Sequence, residues 1–215
     1  MLQRRHFANM AERQQSLGQL YVIGPSSTGK TTLCNAVMKS LNLPAWCYIT
    51  EVARQVMRVQ GYTRDDIGKI EMQRAIMLAQ VAAEESACAQ VSIRGGGLIL
   101  SDRSGIDAIV YAILTANNER EAREKKALLL EDPMFRAALD RYRVARFLLL
   151  GPVPQWLVDD GVRSLEQHER CISVFREVLD ELGIVYHDMG GEMMDLGERV
   201  KEVKRLLGVV DSDKL

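Results

Sequence analysis

Residues 24–31 of this chain read Gly24-Pro25-Ser26-Ser27-Thr28-Gly29-Lys30-Thr31 and match the pattern G-x-x-x-x-G-K-[ST]. An apolar run precedes the match and a helical pattern follows it, which is the strand–loop–helix setting that this pattern requires. Glycines in such a loop let backbone N–H groups converge on phosphates, and the positive end of the helix dipole adds attraction. The lysine then reaches the β- and γ-phosphates, and the Thr31 hydroxyl is placed for Mg²⁺. We therefore expect residues 24–31, with Thr32, to bind ATP and magnesium.

Apolar runs alternate with helical patterns along the chain. The runs that predict strands are 20–23, 46–49, 98–100, 146–150 and 184–186. The patterns that predict helices cover 30–41, 51–60, 65–94, 106–117, 119–130, a segment from Pro133, 164–182 and 192–207. Capping boxes are predicted at Thr63–Asp66 and at Ser164–Gln167, where the third and seventh of these helices begin. Short buried strands joined by helices imply βαβ crossovers, which form parallel sheets covered on both faces. We expect an α/β fold of three layers, α/β/α, in which a five-stranded, mostly parallel sheet carries the P-loop of an NTPase.

The chain is expected to fold as one unit after a short polar segment. No linker or repeat divides its 215 residues. Residues 1–18 are polar and lack the apolar stretch of a secretory signal. We expect a polar N-terminal segment over 1–18 and a single P-loop domain over 19–215, with the cytoplasm as the default location.

The composition argues against several classes of partner. Lysine and arginine number 28 against 29 aspartate and glutamate, so no net positive charge marks a surface for nucleic acid or an anionic membrane. No apolar run approaches the ~18 residues of a membrane span. The four cysteines are widely spaced and the three histidines form no metal-ligand pattern, which disfavours disulfides and zinc. A small-molecule partner is expected, and the oligomeric state is left open.

Two acidic residues follow predicted strands. Asp102 closes the strand that starts at Leu98, and Glu51 follows the run 46–49. Because the carboxyl ends of parallel strands meet at one edge of the sheet, both residues are expected beside the loop. Either carboxylate could take the proton of an acceptor hydroxyl, and one should help to hold magnesium. We favour Glu51 as the base and Asp102, with Thr31, as the magnesium residue.

Three short motifs resemble those of known P-loop kinases. Asp102-Arg103-Ser104 resembles the acidic-Arg-Ser signature of deoxynucleoside kinases and, more loosely, the Asp-Arg motif of thymidylate kinases. Glu51 and Arg54 resemble the E-x-x-R segment of an AAA-like P-loop family that includes the kinase domain of bacterial nicotinamide-ribonucleoside kinases. Asp160-Gly161-Val162-Arg163 resembles the D-G-x-R that begins the helical lid of that family. The chain departs from deoxynucleoside kinases where Glu51-Val52 replaces their Glu-Pro.

Arginines receive roles from this resemblance and from the chemistry of phosphoryl transfer. Arg103 would steady the acceptor or the transferring phosphate, and Arg163 would close over the γ-phosphate from the lid, with Arg170 further along. A triphosphate needs local positive charge although the net charge of the chain is −1. We therefore expect Lys30, Arg103 and Arg163 to gather at one edge of the molecule.

The acceptor pocket is expected beside the long helix 65–94. Gln73 and Gln80 lie seven residues apart on one face of it, either as hydrogen-bonding groups for a polar acceptor or as part of a solvated face. Further acceptor candidates are Glu51, Arg54, Arg103 and Asp107. The loop after the last strand, which includes Asp188, is assigned to the donor base from family position alone.

Two classes of function fit these features. The favoured one is an ATP- and Mg²⁺-dependent kinase that phosphorylates a hydroxyl of a small polar, nucleoside-like acceptor. The alternative is a regulatory switch that binds ATP or GTP, hydrolyses it slowly and acts on a protein or lipid partner. Asp102-Arg103-Ser104-Gly105 fits the D-x-x-G element of GTPases, but no N-K-x-D motif for guanine occurs. A polynucleotide kinase is disfavoured by the lack of a basic surface.

Overall fold

The computed structural model describes residues 18–156 and 165–209, and it confirms the expected α/β fold. Five parallel strands form one sheet in the order β2-β3-β1-β4-β5. These strands are β1 Gly18–Ile23, β2 Tyr48–Ile49, β3 Leu98–Asp102, β4 Arg146–Leu150 and β5 Tyr186–Met189. The helices of the described ranges are α1 Lys30–Ser40, α2 Ala53–Gln60, α3 Ile70–Ile93, α4 Gly105–Leu114, α5 Glu119–Leu130, α6 Pro133–Val144, α7 Leu165–Leu182 and α8 Leu196–Leu206.

The central strand β1 shows how the three layers arise. Its side chains alternate between the two faces of the sheet, and all four of its last residues are buried. Leu20 and Val22 belong to the core that α1 and α8 cover, whereas Tyr21 and Ile23 belong to the core beneath α3, α4, α6 and α7. Each buried aliphatic side chain contributes roughly 1.5–3 kcal/mol to stability, so a strand that is apolar on both faces fits only the middle of such a sandwich.

The last strand lies two residues later than predicted. The run 184–186 is apolar, but Ile184 belongs to the cap that follows α7 and not to a strand, because its N–H donates to Leu179 O at 2.9 Å. Gly183 has φ 67°, and Ile184 is buried as the hydrophobic contact of this helix cap. Strand β5 then begins at Tyr186, which pairs with Phe147 of β4.

Several predicted elements are shorter than expected, and three of them show why. Ala45–Cys47 form a 3₁₀ turn, closed by a hydrogen bond from Cys47 N to Pro44 O, so β2 keeps only two residues. The predicted helix 65–94 begins as a 3₁₀ turn with the expected capping box at Thr63 and Asp66, and α3 starts only after Lys69, whose backbone is extended. The final helix starts at Leu196, because the Asp195 side chain caps it. The capping box predicted at Ser164 lies outside the described residues.

Across the two described ranges, no helix combines the length and the hydropathy needed to cross a lipid bilayer.

The phosphate-binding loop leaves the sheet in a position where only glycine fits. Gly24 has φ 133°, and a Cβ placed there would lie 2.5 Å from the carbonyl oxygen of Leu150 in the neighbouring strand. That oxygen belongs to the backbone of a central strand and has little freedom to move away. The close contact between β1 and the end of β4 therefore sets where the loop begins.

Replacing Gly24 by alanine should destabilise the protein strongly. We expect Gly24→Ala to lower the free energy of unfolding by at least about 3 kcal/mol, since it combines an unfavourable φ with a backbone clash. The matched control is Gly61→Ala after α2, where φ is 75° and no atom lies within 4 Å of the added Cβ. The control should lose only about 1–2 kcal/mol. Equal losses for the two variants in urea unfolding would contradict this account of the loop.

Candidate active site

The predicted site residues that follow β1, β2 and β3 meet at the carboxyl edge of the sheet. The loop 24–29 follows β1, Asp102 ends β3 and Glu51 follows β2. Strands β1 and β3 pair directly, with Val22 opposite Asp102, and the N–H of Arg103 extends this ladder by donating to Val22 O at 3.0 Å. The register of two neighbouring parallel strands thus places Asp102 and Arg103 beside the loop.

The loop itself is held by internal hydrogen bonds and by left-handed residues. Ser27 and Gly29 have φ 62° and 83°. The buried Thr28 hydroxyl donates to Pro25 O at 3.0 Å, and a ring nitrogen of His168 lies 3.0 Å from Ser26 O. This arrangement precedes the first turn of α1, whose unpaired N–H groups favour an anion.

Lys30 is buried and turned toward its own loop. Its Nζ donates to Pro25 O and lies 3.4 Å from Thr28 Oγ1. Burial lowers the pKa of Lys30 to about 7, and the nearby Arg103 guanidinium acts in the same direction. A lysine held in this way loses little in hydration when a phosphate replaces the carbonyl as its partner.

Thr31 and Asp102 supply the oxygens that a magnesium ion would need. The Thr31 hydroxyl donates to Asp102 Oδ2 at 2.5 Å, and Asp102 is 1% exposed. Asp102 Oδ1 is buried without a hydrogen-bond partner in the described structure, which leaves one carboxylate oxygen available to a hard cation. The described residues contain no group of three or more His, Cys, Asp or Glu side chains that could hold a metal. A site with one carboxylate and one hydroxyl fits Mg²⁺, which takes its other ligands from phosphates and water.

Arg103 links two of the other predicted residues, Glu51 and Asp107. Its Nε donates to Glu51 Oε1 at 3.2 Å and its Nη1 to Asp107 Oδ1 at 2.9 Å. Arg54, which is largely exposed, reaches the other oxygen of Glu51 at 3.1 Å. The Glu51 carboxylate is thus held between two guanidinium groups near the phosphate loop.

Asp107 serves both the arginine and the helix that follows. One of its oxygens binds Arg103, and the other accepts from the N–H of Ser104 at 2.9 Å, which completes a capping box for α4. Burial raises the pKa of Asp107, opposed by the nearby Arg103 and Lys30. The residue predicted for the acceptor therefore already has two structural partners.

The remaining predicted residues fall in different places. Gln73 and Gln80 are both 2% exposed, so the solvated-face alternative is wrong. Gln73 donates to Ile67 O at 2.7 Å, and Gln80 contacts the turn after β3. Asp188 lies on β5, half-exposed and paired with Arg176 of α7 rather than with the loop. Arg163 lies outside the described residues.

Sequence reasoning missed a pocket on the outer side of the loop. The pocket measures about 350 Å³ and is lined by Ser27, Gly29, Thr32, Trp156, Met194, Leu196 and Arg199. The Arg199 guanidinium lies 4.6 Å from the Trp156 ring centroid and donates to Thr28 O at 3.0 Å and to Met193 O at 2.5 Å. It is 1% exposed, and its Nη2 has no hydrogen-bond partner in the described structure.

A weak sequence signal for Arg199 does exist. It lies four residues before the buried Val203, so it occupies the apolar face of α8. A charged residue on such a face needs buried partners, and here they are carbonyl groups of the phosphate loop and of the segment before α8. Nothing in the sequence indicates that Thr28, 171 residues away in the loop, would be one of them.

Comparison with solved structures shows what shares this fold. A NadR protein in complex with NAD and AMP-PNP superposes with a TM-score of 0.66 at 21% identity, over 92% of this chain and 51% of that one. A NadR protein in complex with NR gives 0.67 at 23% identity, over 96% and 56%. The chain thus spans about half the length of the NadR proteins that it matches.

Two kinases also match, and over nearly their whole length. The deoxyadenosine kinase of M. mycoides with bound dCTP gives a TM-score of 0.60 at 11% identity, over 88% of this chain and 98% of that one. The thymidylate kinase of Ehrlichia chaffeensis gives 0.51 at 13% identity, over 88% and 98%. At these identities the likeness is one of fold, and the resemblances expected from the motifs are confirmed at that level.

Sequence comparison decides the family. No curated protein matches the chain by sequence. The family model described as an AAA domain matches residues 19–195, which is most of the chain, and the protein therefore belongs to this AAA-domain family of P-loop proteins.

Proposed function

We propose that this protein is a kinase that transfers the γ-phosphoryl group of ATP, with Mg²⁺, to a hydroxyl of a small, nucleoside-like acceptor. The observation that carries the proposal is the Glu51 carboxylate, held by Arg103 and Arg54 beside a complete phosphate-binding loop. Phosphoryl transfer needs in-line positioning and charge neutralisation more than covalent help. A fixed carboxylate next to the phosphate site supplies what a hydroxyl acceptor needs in addition.

The solved relatives support this class of reaction. NadR proteins have been crystallised with NR, NAD and AMP-PNP, and the other two relatives are a deoxyadenosine kinase and a thymidylate kinase. All three proteins thus carry nucleoside or nucleotide chemistry on this fold. The proposal of a nucleoside-like acceptor for the present chain rests on analogy with these relatives.

The donor side of the reaction follows from the loop. Backbone N–H groups of 24–31 and the start of α1 would receive the phosphates, and Lys30 would exchange Pro25 O for a phosphate oxygen. The pocket beside Trp156 and Arg199 has the size and the planar aromatic wall that suit a purine. When bound, Mg²⁺ would be held by Thr31 and Asp102 and would neutralise charge on the β- and γ-phosphates.

The acceptor side uses the cluster around Arg103. Glu51 would accept the proton of the attacking hydroxyl, while Arg103 would steady the acceptor or the phosphoryl group. Gln73 and Asp107 stay predictions as acceptor contacts. Each already has a protein partner, Ile67 O for Gln73 and Arg103 for Asp107. Arg163 stays a prediction as the lid arginine, and Asp188 stays one for the donor base.

The structure favours a kinase over the regulatory switch. The D-x-x-G match would make Gly105 the adaptable residue of a switch loop. Instead Gly105 is the first residue of α4, is buried, and donates its N–H to the Tyr142 hydroxyl at 3.1 Å. A Cβ at this position would lie 2.9 Å from that hydroxyl, so the segment is tightly packed.

Acceptor-dependent turnover is the primary test. Purified protein is incubated with ATP or GTP, Mg²⁺ and a panel of nucleosides and small alcohols, while ADP or GDP release and product mass are followed. We expect nucleoside diphosphate to form only with an acceptor, and Lys30→Ala to abolish it because the phosphates lose their buried cation. Tight GTP binding without any acceptor stimulation would instead support the switch.

Glu51 can be tested separately from nucleotide binding. We expect Glu51→Gln to lower kcat by about 10²–10⁴-fold, the range for loss of a general base, with little change in the Kd of ATP measured by calorimetry. Glu71→Gln, an exposed glutamate on α3, is the control and should behave as the wild type. An unchanged kcat in Glu51→Gln would move the role of base to Asp102.

The pKa of Lys30 predicts proton uptake on binding. With a pKa of about 7 in the free protein, Lys30 is mostly neutral at pH 8, and phosphate charges should raise its pKa well above that. ATP binding at pH 8 should therefore take up close to one proton, and affinity should fall as pH rises from 7 to 9. Calorimetry in buffers of different ionisation enthalpy measures this uptake.

Lys30→Arg is the control for proton uptake. The guanidinium stays charged throughout this pH range, so this variant should take up no proton from that side chain. An equal proton uptake in the variant and the wild type would show that another group titrates.

A further inference from the structure

A buried polar cluster lies directly behind the turn that carries Asp102 and Arg103. Its centre is Glu84 of α3, which is 0% exposed. Glu84 Oε2 accepts from the Tyr142 hydroxyl at 2.7 Å and from Arg141 Nη2 at 3.0 Å, and Oε1 accepts from Gln80 Nε2 at 3.1 Å. Buried carboxylates are retained only where donors replace water in this way.

The cluster reaches the turn at two places. Gln80 Nε2 lies 3.0 Å from Ser101 Oγ and 3.4 Å from Arg103 O. The Tyr142 hydroxyl accepts from Gly105 N at 3.1 Å. Residues on both sides of Asp102 and Arg103 are therefore tied to the same buried carboxylate, through α3 on one side and α6 on the other.

Glu84 also decides how its two neighbours use their hydrogens. Tyr142 has one hydroxyl hydrogen, and because it goes to Glu84, the oxygen is left to accept from Gly105 N–H. While Glu84 is ionised, Gln80 must likewise point its NH₂ group, not its carbonyl, at Glu84, which leaves the second hydrogen for Ser101 and Arg103. Burial raises the pKa of Glu84 to about 7, against the effect of the donors Tyr142, Gln80 and Arg141.

The turn needs such support because its backbone is strained. Arg103 has φ 87°, a conformation that disfavours a non-glycine residue by about 1–3 kcal/mol. A residue of this kind persists only where the surroundings hold it in place. The same backbone aims the Arg103 guanidinium at both Glu51 and Asp107.

We propose that Gln80 is a positioning residue for phosphoryl transfer, which holds the left-handed turn so that Arg103 stays between Glu51 and Asp107. This inference rests on the proposed kinase function. Gln80 acts through the carbonyl of Arg103 and the hydroxyl of Ser101, and Glu84 orients its amide. The acceptor-contact role predicted for its face of α3 is thereby replaced, for Gln80, by a structural contact with an active-site turn.

The test is a double-mutant cycle with Arg103. We expect Gln80→Met, which keeps length and burial but cannot donate, to lower kcat by about 10- to 10²-fold, because a misplacement of about 1 Å in a positioned group can cost 10²-fold. In an Arg103→Ala background the same change should alter kcat less than twofold, because its target is gone. Gln90→Met, elsewhere on α3, is the control and should match the wild type. Equal factors in both backgrounds, or no effect in the wild type, would overturn the proposal.

Hydrogen exchange provides a readout that does not need activity. In Gln80→Met, amides of 101–107 should exchange at least about tenfold faster, while those of β4 keep their wild-type rates. If Gln80→Met fails to fold, Ser101→Ala removes one partner of the amide and should give a smaller effect in the same segment. Unchanged exchange in 101–107 would show that Gln80 does not hold the turn.

The two readouts separate the two proposals. A wild-type protein without acceptor-dependent turnover would overturn the kinase function, and hydrogen exchange would still decide whether Gln80 holds the turn. Gln80→Met could speed exchange in 101–107 and yet lower kcat by the same factor in the wild-type and Arg103→Ala backgrounds. That result would show that Gln80 only stabilises the turn locally and would overturn the positioning role.

Discussion

The parallel pairing of β1 with β3 is the constraint on which the site depends. Val22 lies opposite Asp102, and the hydrogen bond from Arg103 N to Val22 O extends this register by one residue. A shift of the register by one residue would turn Asp102 to the other face of the sheet, away from Thr31. The register of β1 and β3 therefore sets the positions of Asp102, Arg103 and the loop 24–31 together. The two apolar cores on either side of the sheet hold this register in place.

The charges at this edge balance each other closely. The expected gathering of cations is present for Lys30 and Arg103, but Asp102, Asp107 and Glu51 lie among them. A buried cation without a partner would be costly, whereas one surrounded by carboxylates is tolerated until a phosphate approaches. A chain with net charge −1 could in this way hold the basic side chains that the proposed triphosphate site requires. The anions hold the cations in place rather than leaving a bare positive surface.

The parts of the molecule that could be predicted are those that depend on residues close together in the chain. The loop 24–31, the buried strands and the capping box at Thr63 all follow from local patterns, and the sheet edge then brings Glu51 and Asp102 together. Arg199 and Trp156 escaped prediction because their partners lie far away in sequence. Ile184 misled the strand assignment because an apolar residue serves a helix cap as well as a strand. Gln80 was predicted to face an acceptor or solvent, but its partners are the side chains of Glu84 and Ser101 and the carbonyl of Arg103, none of which a local pattern identifies.

The donor and acceptor sides of the proposed site differ in how freely their residues can change. The donor side is built from backbone groups of one loop and from a helix terminus, so it tolerates few changes and recurs across P-loop proteins. The proposed acceptor side uses side chains of the segments after β2 and β3. Such side chains can change without altering the sheet, provided that the turn carrying Arg103 stays in place. A buried carboxylate ties this turn to two helices. In the proposed kinase it would hold Arg103 from behind, so that the front of the acceptor pocket could vary.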